Sequence, residues 1–473
     1  MFFYIRNPQL RPKKIESIYF KIWYYINITE RWSVSVMKVG GMMKKIISIL
    51  LALCLSGCTV LDFIDANNEY QTNDTYNNEH NYNYKYKEIN TTEENQNQTK
   101  NGFTVKNSNE SKNKNETDNN QTKNGFQLAE KGNKQLKSLY LFYYDQLSST
   151  QKAVYEDLYA FLQKPTSMYY LKKPAKTEDF FTAMTAFRYD FPEAYWLEGY
   201  RYYSDNQKRV TSITISIPED LETKMAQVDA IANNVVAAVA NESDYNKLKY
   251  FYEWIINWTI YQKNECDQDF TSVFLLKQSV CAGYSRTFQY LCKKAGIKCT
   301  YVPGDTDEPH AWNLVELNGK HYWVDVTWGD PLYDDGTQTL NYHYFMITDE
   351  VLFRTHYTLD GTVFLNSYDS IDVFKFPQCT DNSLSYYVQT GSYFPTYDYY
   401  GIRNYVLQKL NENPYQYFEF QIGDQASYQQ ALDYLFSDNY LYMTGILQEY
   451  FGYGFRYYYY YWGDTGIIGI QVY

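Results

Sequence analysis

An Asn-Gly pair at residues 318–319 lies between two runs of alternating apolar and polar residues. This dipeptide is the strongest short signal for a two-residue β-hairpin turn, and such a turn fixes the register by pairing Leu317 with Lys320. Counting back along the two strands makes His310 and Asp325 diagonal neighbours on one face of the hairpin. Diagonal pairs lie roughly 7 to 8 Å apart, so an imidazole and a carboxylate are expected within reach of each other.

A second pattern, upstream of the hairpin, predicts an amphipathic helix that begins at Cys281. Apolar side chains follow at spacings of three and four residues, at Tyr284, Phe288 and Leu291. Gly296 is typical of a helix C-terminus. A thiol at the helix start meets unpaired N–H groups and the positive end of the macrodipole, which favour the thiolate, the form that attacks.

Together the two patterns supply the residue types that nucleophilic catalysis needs. Cys281 would attack an acyl carbon, His310 would take and return the proton, and Asp325 would fix the imidazole tautomer and stabilise its cation. Each residue taken alone is more often structural, since a free cysteine is among the most buried residue types. The helix start, the hairpin turn and the diagonal geometry in combination favour catalysis.

The motifs around these residues resemble the core of the transglutaminase-like superfamily, in the form found in bacterial surface proteins. They read Val-Cys-Ala-Gly-Tyr at 280–284, His-Ala-Trp-Asn at 310–313 and Asp-Val-Thr-Trp at 325–328. The resemblance is specific over about residues 240–335. It implies a papain-like Cys-His-Asp triad, with the cysteine helix packed on a small antiparallel sheet. It also implies acyl transfer from an amide, by hydrolysis or transamidation.

Further residues near the triad are candidates for supporting roles. The Cys281 backbone N–H is the expected first oxyanion donor, and Gln278 and Tyr261 are the candidates for the second. Gln278 is similar in type to the upstream glutamine of papain-like enzymes, although its offset from the cysteine differs. The predicted walls of the site are Tyr284, Trp312, Asn313 and Trp328.

The N-terminal part of the chain resembles a lipoprotein signal. Residues 42–57 combine two lysines, a short apolar run and small residues, and they lead into Cys58, the expected lipidation site. Residues 1–41 are expected to be an untranslated extension. The apolar run is too short to span a bilayer, so lipid chains on Cys58 are the predicted anchor, on the extracytoplasmic side of a bacterial cell membrane.

Residues 58–135 are rich in Asn, Gln, Lys, Glu and Thr, a composition that cannot bury enough apolar surface to fold and predicts a disordered linker. Helical and strand periodicities begin near Leu136. They predict an α+β fold in two parts. A transglutaminase-like domain with a helical N-terminal part spans 136–376, and a small α+β C-terminal domain spans 377–473.

Local signals place several elements in these domains. Ser148 and Gln151 predict a capping box, and Thr177 predicts the cap of a second helix. Alternation over 213–217 predicts a strand. In the C-terminal domain, helices are predicted near 402–410, from 427 and near 441–450, and strands at 418–422, 456–462 and 467–473.

The charge balance limits the partners. Cleavage before Cys58 would remove nine Lys and Arg but two Asp and Glu, leaving 34 basic and 53 acidic side chains and a formal net charge of −19. So acidic a chain argues against binding to nucleic acid. Neither Cys nor His residues have zinc spacing, and no glycine-rich phosphate loop is present, so neither a metal nor a cofactor is predicted.

Two functions stay open at this point. The first is a surface cysteine peptidase or acyltransferase that forms a thioester with a protein or a cell-wall peptide. The second is a catalytically idle module of the same fold that holds a protein or cell-wall partner at the surface. The presence of all three triad residue types favours the enzyme.

Overall fold

The structure is a computed structural model that describes most of the chain from residue 136 onward and one strand upstream. The described residues are 88–90, 136, 138–331, 339–358, 362–364, 370–372, 374–437, 439 and 441–473. The predicted N-terminal extension, the signal sequence, Cys58 and most of the predicted linker lie outside them. In the described part, no helix has both the length and the apolar character that crossing a membrane requires.

Helices and strands are mixed along the described residues. The α-helices are α1 (Phe142–Asp145), α2 (Ser149–Gln163), α3 (Thr177–Asp190), α4 (Leu221–Ala238), α5 (Asp244–Trp258), α6 (Cys281–Ala295), α7 (Asp349–Leu352), α8 (Tyr386–Gln389), α9 (Tyr399–Glu412), α10 (Gln425–Phe436) and α11 (Tyr442–Phe451). The strands are β1 (Glu88–Asn90), β2 (Met168–Lys176), β3 (Arg201–Ser204), β4 (Arg209–Thr214), β5 (Ile260–Tyr261), β6 (Gln278–Ser279), β7 (Lys298–Asp305), β8 (Pro309–Leu317), β9 (Lys320–Val324), β10 (Phe345–Ile347), β11 (Tyr357–Thr358), β12 (Thr362–Phe364), β13 (Ser370–Asp372), β14 (Tyr393–Phe394), β15 (Phe418–Ile422), β16 (Tyr457–Trp462) and β17 (Ile467–Val472).

The centre of the fold is an antiparallel sheet of five strands in the order β10-β9-β8-β7-β11. Its β8–β9 hairpin has the predicted register, with Leu317 paired to Lys320. Asn318 and Gly319 have φ angles of 55° and 74°, the left-handed conformation that this turn needs at both positions. Helix α6 packs across β7 and β8. The predicted α+β class, with the cysteine helix on a small antiparallel sheet, is confirmed.

In the N-terminal part, α2 and α3 pack against a second sheet in the order β1-β3-β4-β2. The predicted capping box is confirmed, because Ser148 Oγ accepts from Gln151 N at 3.4 Å and Gln151 Oε1 accepts from Ser148 N at 2.9 Å. The prediction that Thr177 caps α3 is wrong. Lys176 occupies the cap position, and the Thr177 hydroxyl donates to Lys208 O at 3.1 Å instead of capping the helix.

Two strand predictions also need correction. The strand expected over 213–217 is β4, which begins at Arg209 and ends at Thr214 because its partners β2 and β3 pair with it over that range. Glu88–Asn90, inside the linker predicted over 58–135, form a strand that pairs in parallel with β3. The edge of β3 offers backbone N–H and C=O groups, and even a polar segment can satisfy them.

The C-terminal segment has a core and a sheet of its own. Its strands lie in the order β14-β15-β17-β16, and α9, α10 and α11 share the apolar core beside them. The strand predicted at 418–422 coincides with β15, and the other predicted elements are present with ends shifted by a few residues. Glu419 also connects this segment to the preceding one, since its Oε1 lies 3.2 Å from His343 Nε2.

A glycine in β7 allows a tryptophan of β8 to lie against the strand. A Cβ built on Gly304 would lie 2.0 Å from the Trp312 ring and 2.6 Å from Tyr357 O. Trp312 is fully buried in a cluster with Val302, Leu314 and Trp323. Any side chain at position 304 would therefore displace a ring at the centre of the sheet.

Gly304→Ala is expected to lower the free energy of unfolding by about 1 to 3 kcal/mol, because overpacking forces buried side chains out of their preferred rotamers. Urea denaturation followed by tryptophan fluorescence measures this change. Gly445→Ala is the matched control: Gly445 lies in the interior of α11 with nothing within 4 Å of an added Cβ. It should raise stability by about 0.5 to 1 kcal/mol. A Gly304 variant as stable as wild type would contradict the close Trp312 packing.

Candidate active site

Helix α6 presents Cys281 as its first residue. The N-cap residue is Val280, in an extended conformation, and no side chain caps the helix. The first N–H groups of a helix have no intrahelical partner, so they surround the thiol with partial positive charge. Gly296 ends the helix at a φ of 74°, as predicted. Cys281 itself is 5% exposed.

The loop before α6 approaches the helix closely at Gly283. A Cβ at this position would lie 1.9 Å from Ser279 Oγ and 3.0 Å from Asp267 O. Ser279 Oγ donates to Asp267 O at 2.8 Å and accepts from Ser272 Oγ at 2.7 Å. The glycine of the Cys-Ala-Gly motif therefore gives the preceding loop room to support the first helical turn.

A serine joins the first turn of α6 to strand β8. The Ser285 hydroxyl lies 2.8 Å from both Cys281 O and Ala311 O. From the strand, Asn313 Nδ2 donates to Ser285 O at 3.0 Å and to Thr300 O at 3.3 Å. These bonds hold the cysteine backbone beside the residue that follows His310.

The placement of Asn313 corrects its predicted role as a wall of the site. Its amide clamps α6 and β7 to β8, and its side chain is fully buried there. Successive strand residues point to opposite faces, so Asn313 lies on the face of β8 opposite His310. Asn313 therefore contributes to the packing of α6 on the sheet.

His310 and Asp325 meet as the hairpin register predicts. The paired ladder ends at Asn313 and Val324, after which Asp325 N donates to Tyr344 O at 2.9 Å. His310 Nε2 lies 2.7 Å from Asp325 Oδ2, and both side chains are buried. Since Asp325 takes Nε2, Nδ1 is the ring nitrogen left for the Cys281 side chain, which contributes to the raised pKa of His310.

The neighbours of His310 favour its protonated form. Burial alone lowers the pKa of His310, but the charge and hydrogen bond of Asp325, together with the Cys281 side chain, raise this pKa to about 10. An imidazolium beside the cysteine stabilises a thiolate and holds a proton for a leaving group.

Asp325 is a fully buried carboxylate with four hydrogen-bond donors around it. Its Oδ1 accepts from the backbone N–H groups of Thr327 at 2.8 Å and Trp328 at 3.1 Å. Its Oδ2 is shared by His310 at 2.7 Å and a second imidazole, that of His356, at 3.0 Å. Burial raises the pKa of Asp325, but the two histidines outweigh it and hold this pKa well below the ordinary range.

Sequence reasoning missed His356. It lies 31 residues after Asp325 and follows helix α7, outside the hairpin whose register located His310. Its ring is fully buried, and burial and the nearby His310 lower the pKa of His356 against the opposing effect of Asp325. The only signal open to sequence reasoning was scarcity, since the chain has five histidines.

Two of the predicted wall residues surround the histidines. The Trp312 ring is 6.0 Å from His310 and 5.0 Å from His356, measured between centroids. Trp328 is 6.1 Å from His310 and 4.5 Å from His356. The indoles thus keep water away from the hydrogen bonds of Asp325.

Tyr284, the fourth predicted wall residue, has a different position. It is fully buried in the main core, and its hydroxyl donates to Asp330 Oδ2 at 2.8 Å. The bond connects α6 to the turn after Asp325. Tyr284 is therefore a support of the site and not a surface of it, because its position in α6 directs it into the core.

The two oxyanion candidates lie on short strands next to the start of α6. Strands β5 and β6 are parallel and pair Tyr261 with Ser279, while Gln278 pairs with Ile260. Gln278 O accepts from Asn264 Nδ2 at 2.9 Å, which anchors the strand. The roles of Gln278 and Tyr261 as donors stay predictions.

The side chains of His310, Asp325 and His356 could also hold a metal ion, since their ligand atoms lie within 4.8 Å of one another. A bound zinc ion would lie about 2.0 to 2.2 Å from each ligand atom and would keep those atoms apart from one another. In this structure Asp325 Oδ2 lies 2.7 Å from His310 Nε2 and 3.0 Å from His356 Nε2. Both are hydrogen-bond distances.

Comparisons with known proteins match the region that contains Cys281, His310 and Asp325 to a known family. Residues 229–329 match the family model of the transglutaminase-like superfamily. The chain is 29% identical over 161 residues to the kyphoscoliosis peptidases of Mus musculus and Homo sapiens, a match that covers 29% of this chain and 24% of each relative. The chain thus spans about a quarter of the length of these curated relatives.

Among solved structures, the crystal structure of a TGase is similar over 25% of this chain and 41% of its own, at 16% identity and a TM-score of 0.21. The family match includes Cys281, His310 and Asp325, and it ends before His356. Residues 229–329 of this chain are therefore a transglutaminase-like domain.

Proposed function

We propose that this chain is a cysteine enzyme that cleaves a peptide or protein amide, or transfers its acyl group, through a thioester on Cys281. The observation that carries the proposal is the bond of 2.7 Å between His310 Nε2 and Asp325 Oδ2, which leaves Nδ1 for the cysteine at the start of α6. Papain-like proteases use the same order of nucleophile, base and orienting residue, with Asn in the place of Asp325.

In the proposed reaction the Cys281 sulfur attacks the amide carbonyl, and the N–H groups at the helix start stabilise the oxyanion. The C–N bond then breaks as His310 gives its proton to the leaving nitrogen. A water molecule or an amine attacks the thioester, gives its proton to His310 and releases Cys281. Asp325 keeps the imidazole oriented and stabilises its cation in both halves.

An idle binding module is the second candidate function, and the burial of Cys281 favours it. A residue that is 5% exposed gives a substrate little access unless the surrounding surface opens. The two functions differ in the chemical reactivity of Cys281, which can be measured without a known substrate.

Iodoacetamide is expected to label Cys281 at pH 6.5 about tenfold faster than Cys266, or more, because the thiolate is the reactive form. Cys266 is the internal reference: it is the more exposed cysteine, while burial and the nearby Asp269 raise its pKa. Mass spectrometry of tryptic peptides after timed labelling gives both rates. His310→Gln should reduce the Cys281 rate to that of Cys266. Faster labelling of Cys266 in the wild-type protein would support the idle module and overturn the enzyme.

His310 is expected to titrate near pH 10 in the wild-type protein and at lower pH in Asp325→Asn, since Asp325 supplies the largest effect that raises its pKa. By linkage, the raised pKa of His310 contributes stability that is fully present below about pH 6.5 and is lost as pH rises through 10. NMR of ¹³C-labelled histidine resolves five rings, with His310→Gln for assignment. A wild-type His310 midpoint near its ordinary value would contradict the described pair.

The proposal extends to substrate and location. The acidic balance of the chain disfavours nucleic acid, so a protein or a cell-wall peptide is the proposed substrate. The proposed location is the extracytoplasmic face of a bacterial cell membrane, with lipid on Cys58, because the signal motif and the short apolar run support an anchored chain.

Cys58→Ser is expected to move the protein from the membrane fraction of bacteria to the soluble fraction, since the lipid has no attachment site. Cys54→Ser is the matched control within the same apolar run and should leave the protein with the membranes. Immunoblots of the separated fractions measure the distribution. Retention of the Cys58 variant in membranes at the wild-type level would reject the lipid anchor.

A further inference from the structure

We propose that His356 is a positioning residue of the active site, which acts by fixing the Oδ2 atom of Asp325 at the point where His310 binds it. The inference rests on the proposed function and adds a residue to it. His356 lies beyond residues 229–329, so the family match does not include it.

The first argument is the division of the Asp325 carboxylate between two sets of donors. Backbone N–H groups of the following turn hold Oδ1, at 2.8 and 3.1 Å. The two imidazoles hold Oδ2, His310 at 2.7 Å and His356 at 3.0 Å. A carboxylate oxygen has two lone-pair positions in its plane, so the second imidazole completes the coordination of the oxygen that orients the first.

The second argument is the tautomer of His356. Its Nε2 faces a carboxylate oxygen and must carry the proton, so its Nδ1 accepts a hydrogen bond. Thr355 Oγ1 lies 2.8 Å from Nδ1, and Tyr344 OH lies 3.2 Å from the same hydroxyl oxygen. A chain of donors thus runs from Tyr344 through Thr355 and His356 to Asp325. The lowered pKa of His356 agrees with a neutral ring that has one N–H.

The third argument is the rigidity of the ring. His356 is fully buried, and its ring lies 5.0 Å from Trp312, 4.5 Å from Trp328 and 5.2 Å from Tyr344, between centroids. Its backbone N–H donates to Leu352 O at 3.0 Å at the end of α7. A donor held on all sides keeps its direction without loss of entropy during the reaction, which is what a support for a catalytic group needs.

Without this donor, Oδ2 would keep one lone pair unsatisfied in an apolar cage. A buried acceptor without a partner is unfavourable, so the carboxylate would rotate or admit water. Either change would loosen His310, whose Nδ1 would then be misaligned with the Cys281 sulfur. The expected defect therefore appears at a cysteine that His356 does not touch.

The test compares His356→Leu with His356→Gln. Leucine fills the cage without a donor, whereas the glutamine amide can place an N–H near Nε2 of the original ring. Iodoacetamide labelling of Cys281 near neutral pH should slow about tenfold in the leucine variant, by analogy with the lower end of the effect of removing a residue that orients a metal-ligating histidine. The pH of half-maximal labelling should rise in that variant. The glutamine variant should keep a rate and a pH profile near those of wild type.

Thr355→Val provides a second variant that leaves His356 in place. Valine has the shape of threonine but no hydroxyl, so the ring loses the hydrogen bond that holds it at Nδ1, and the Cys281 rate should fall in the same direction. This variant decides the outcome if the leucine protein does not fold, as judged by circular dichroism. A role of His356 in stability alone would change the melting temperature and not the pH profile.

Different results overturn the two proposals. A folded leucine variant with the wild-type rate and pH profile, or a glutamine variant as slow as the leucine variant, overturns the positioning role. Wild-type Cys281 that labels no faster than Cys266 overturns the proposed function itself. If Cys281 labels selectively in the wild-type protein and its rate does not change in the His356 variants, the positioning role is overturned and the proposed enzyme function stands.

Discussion

The buried charge of Asp325 is the interaction on which the site depends. A carboxylate removed from water costs several kcal/mol unless other groups replace its hydration. Here the replacement comes from two backbone N–H groups of the next turn and from two imidazoles on other segments. The end of β9, the turn at Thr327 and Trp328, and the chain after α7 therefore have to meet at one point. The sheet can satisfy Asp325 only when all of them are in place.

Buried polar groups also join the start of α6 to the sheet. Ser285 and Asn313 connect α6 to β8, while Gly283 lets the loop before the helix approach its first turn. Because β8 also carries His310, these bonds from side chains to backbone hold the start of α6 and the histidine strand together. Such preorganisation is what nucleophilic catalysis requires.

The sequence was most informative where one local rule determined the geometry. The Asn-Gly turn set the β8–β9 register, and with it the meeting of His310 and Asp325. Helix periodicity placed Cys281 at the start of α6. Residues whose position depends on distant segments were beyond such rules. His356 bonds Asp325, which lies 31 residues earlier in the chain. Glu88–Asn90 pair with the edge of β3 although they belong to a polar segment.

The errors in the predicted walls have the same origin. Asn313 and Tyr284 belong to motifs that contain site residues, and adjacency in sequence made them candidates for the site. The pleat of β8 turns Asn313 toward α6, and the position of Tyr284 in α6 directs it to Asp330 in the core. Each motif in this fold thus contains both residues of the site and residues that support it. Only the direction of each side chain distinguishes them.

The two imidazoles on one carboxylate also explain how the site divides its charge. Two imidazolium ions around a single buried Asp325 would leave a net positive charge in an apolar cage, which is unfavourable. The structure resolves this by placing the rings differently: His310 has the Cys281 side chain as a second partner, whereas His356 has the neutral hydroxyl of Thr355. The proton accordingly stays on His310, whose pKa is raised, and not on His356, whose pKa is lowered. The positive charge is thus held on His310, beside Cys281, and the neutral ring of His356 supplies only a hydrogen bond.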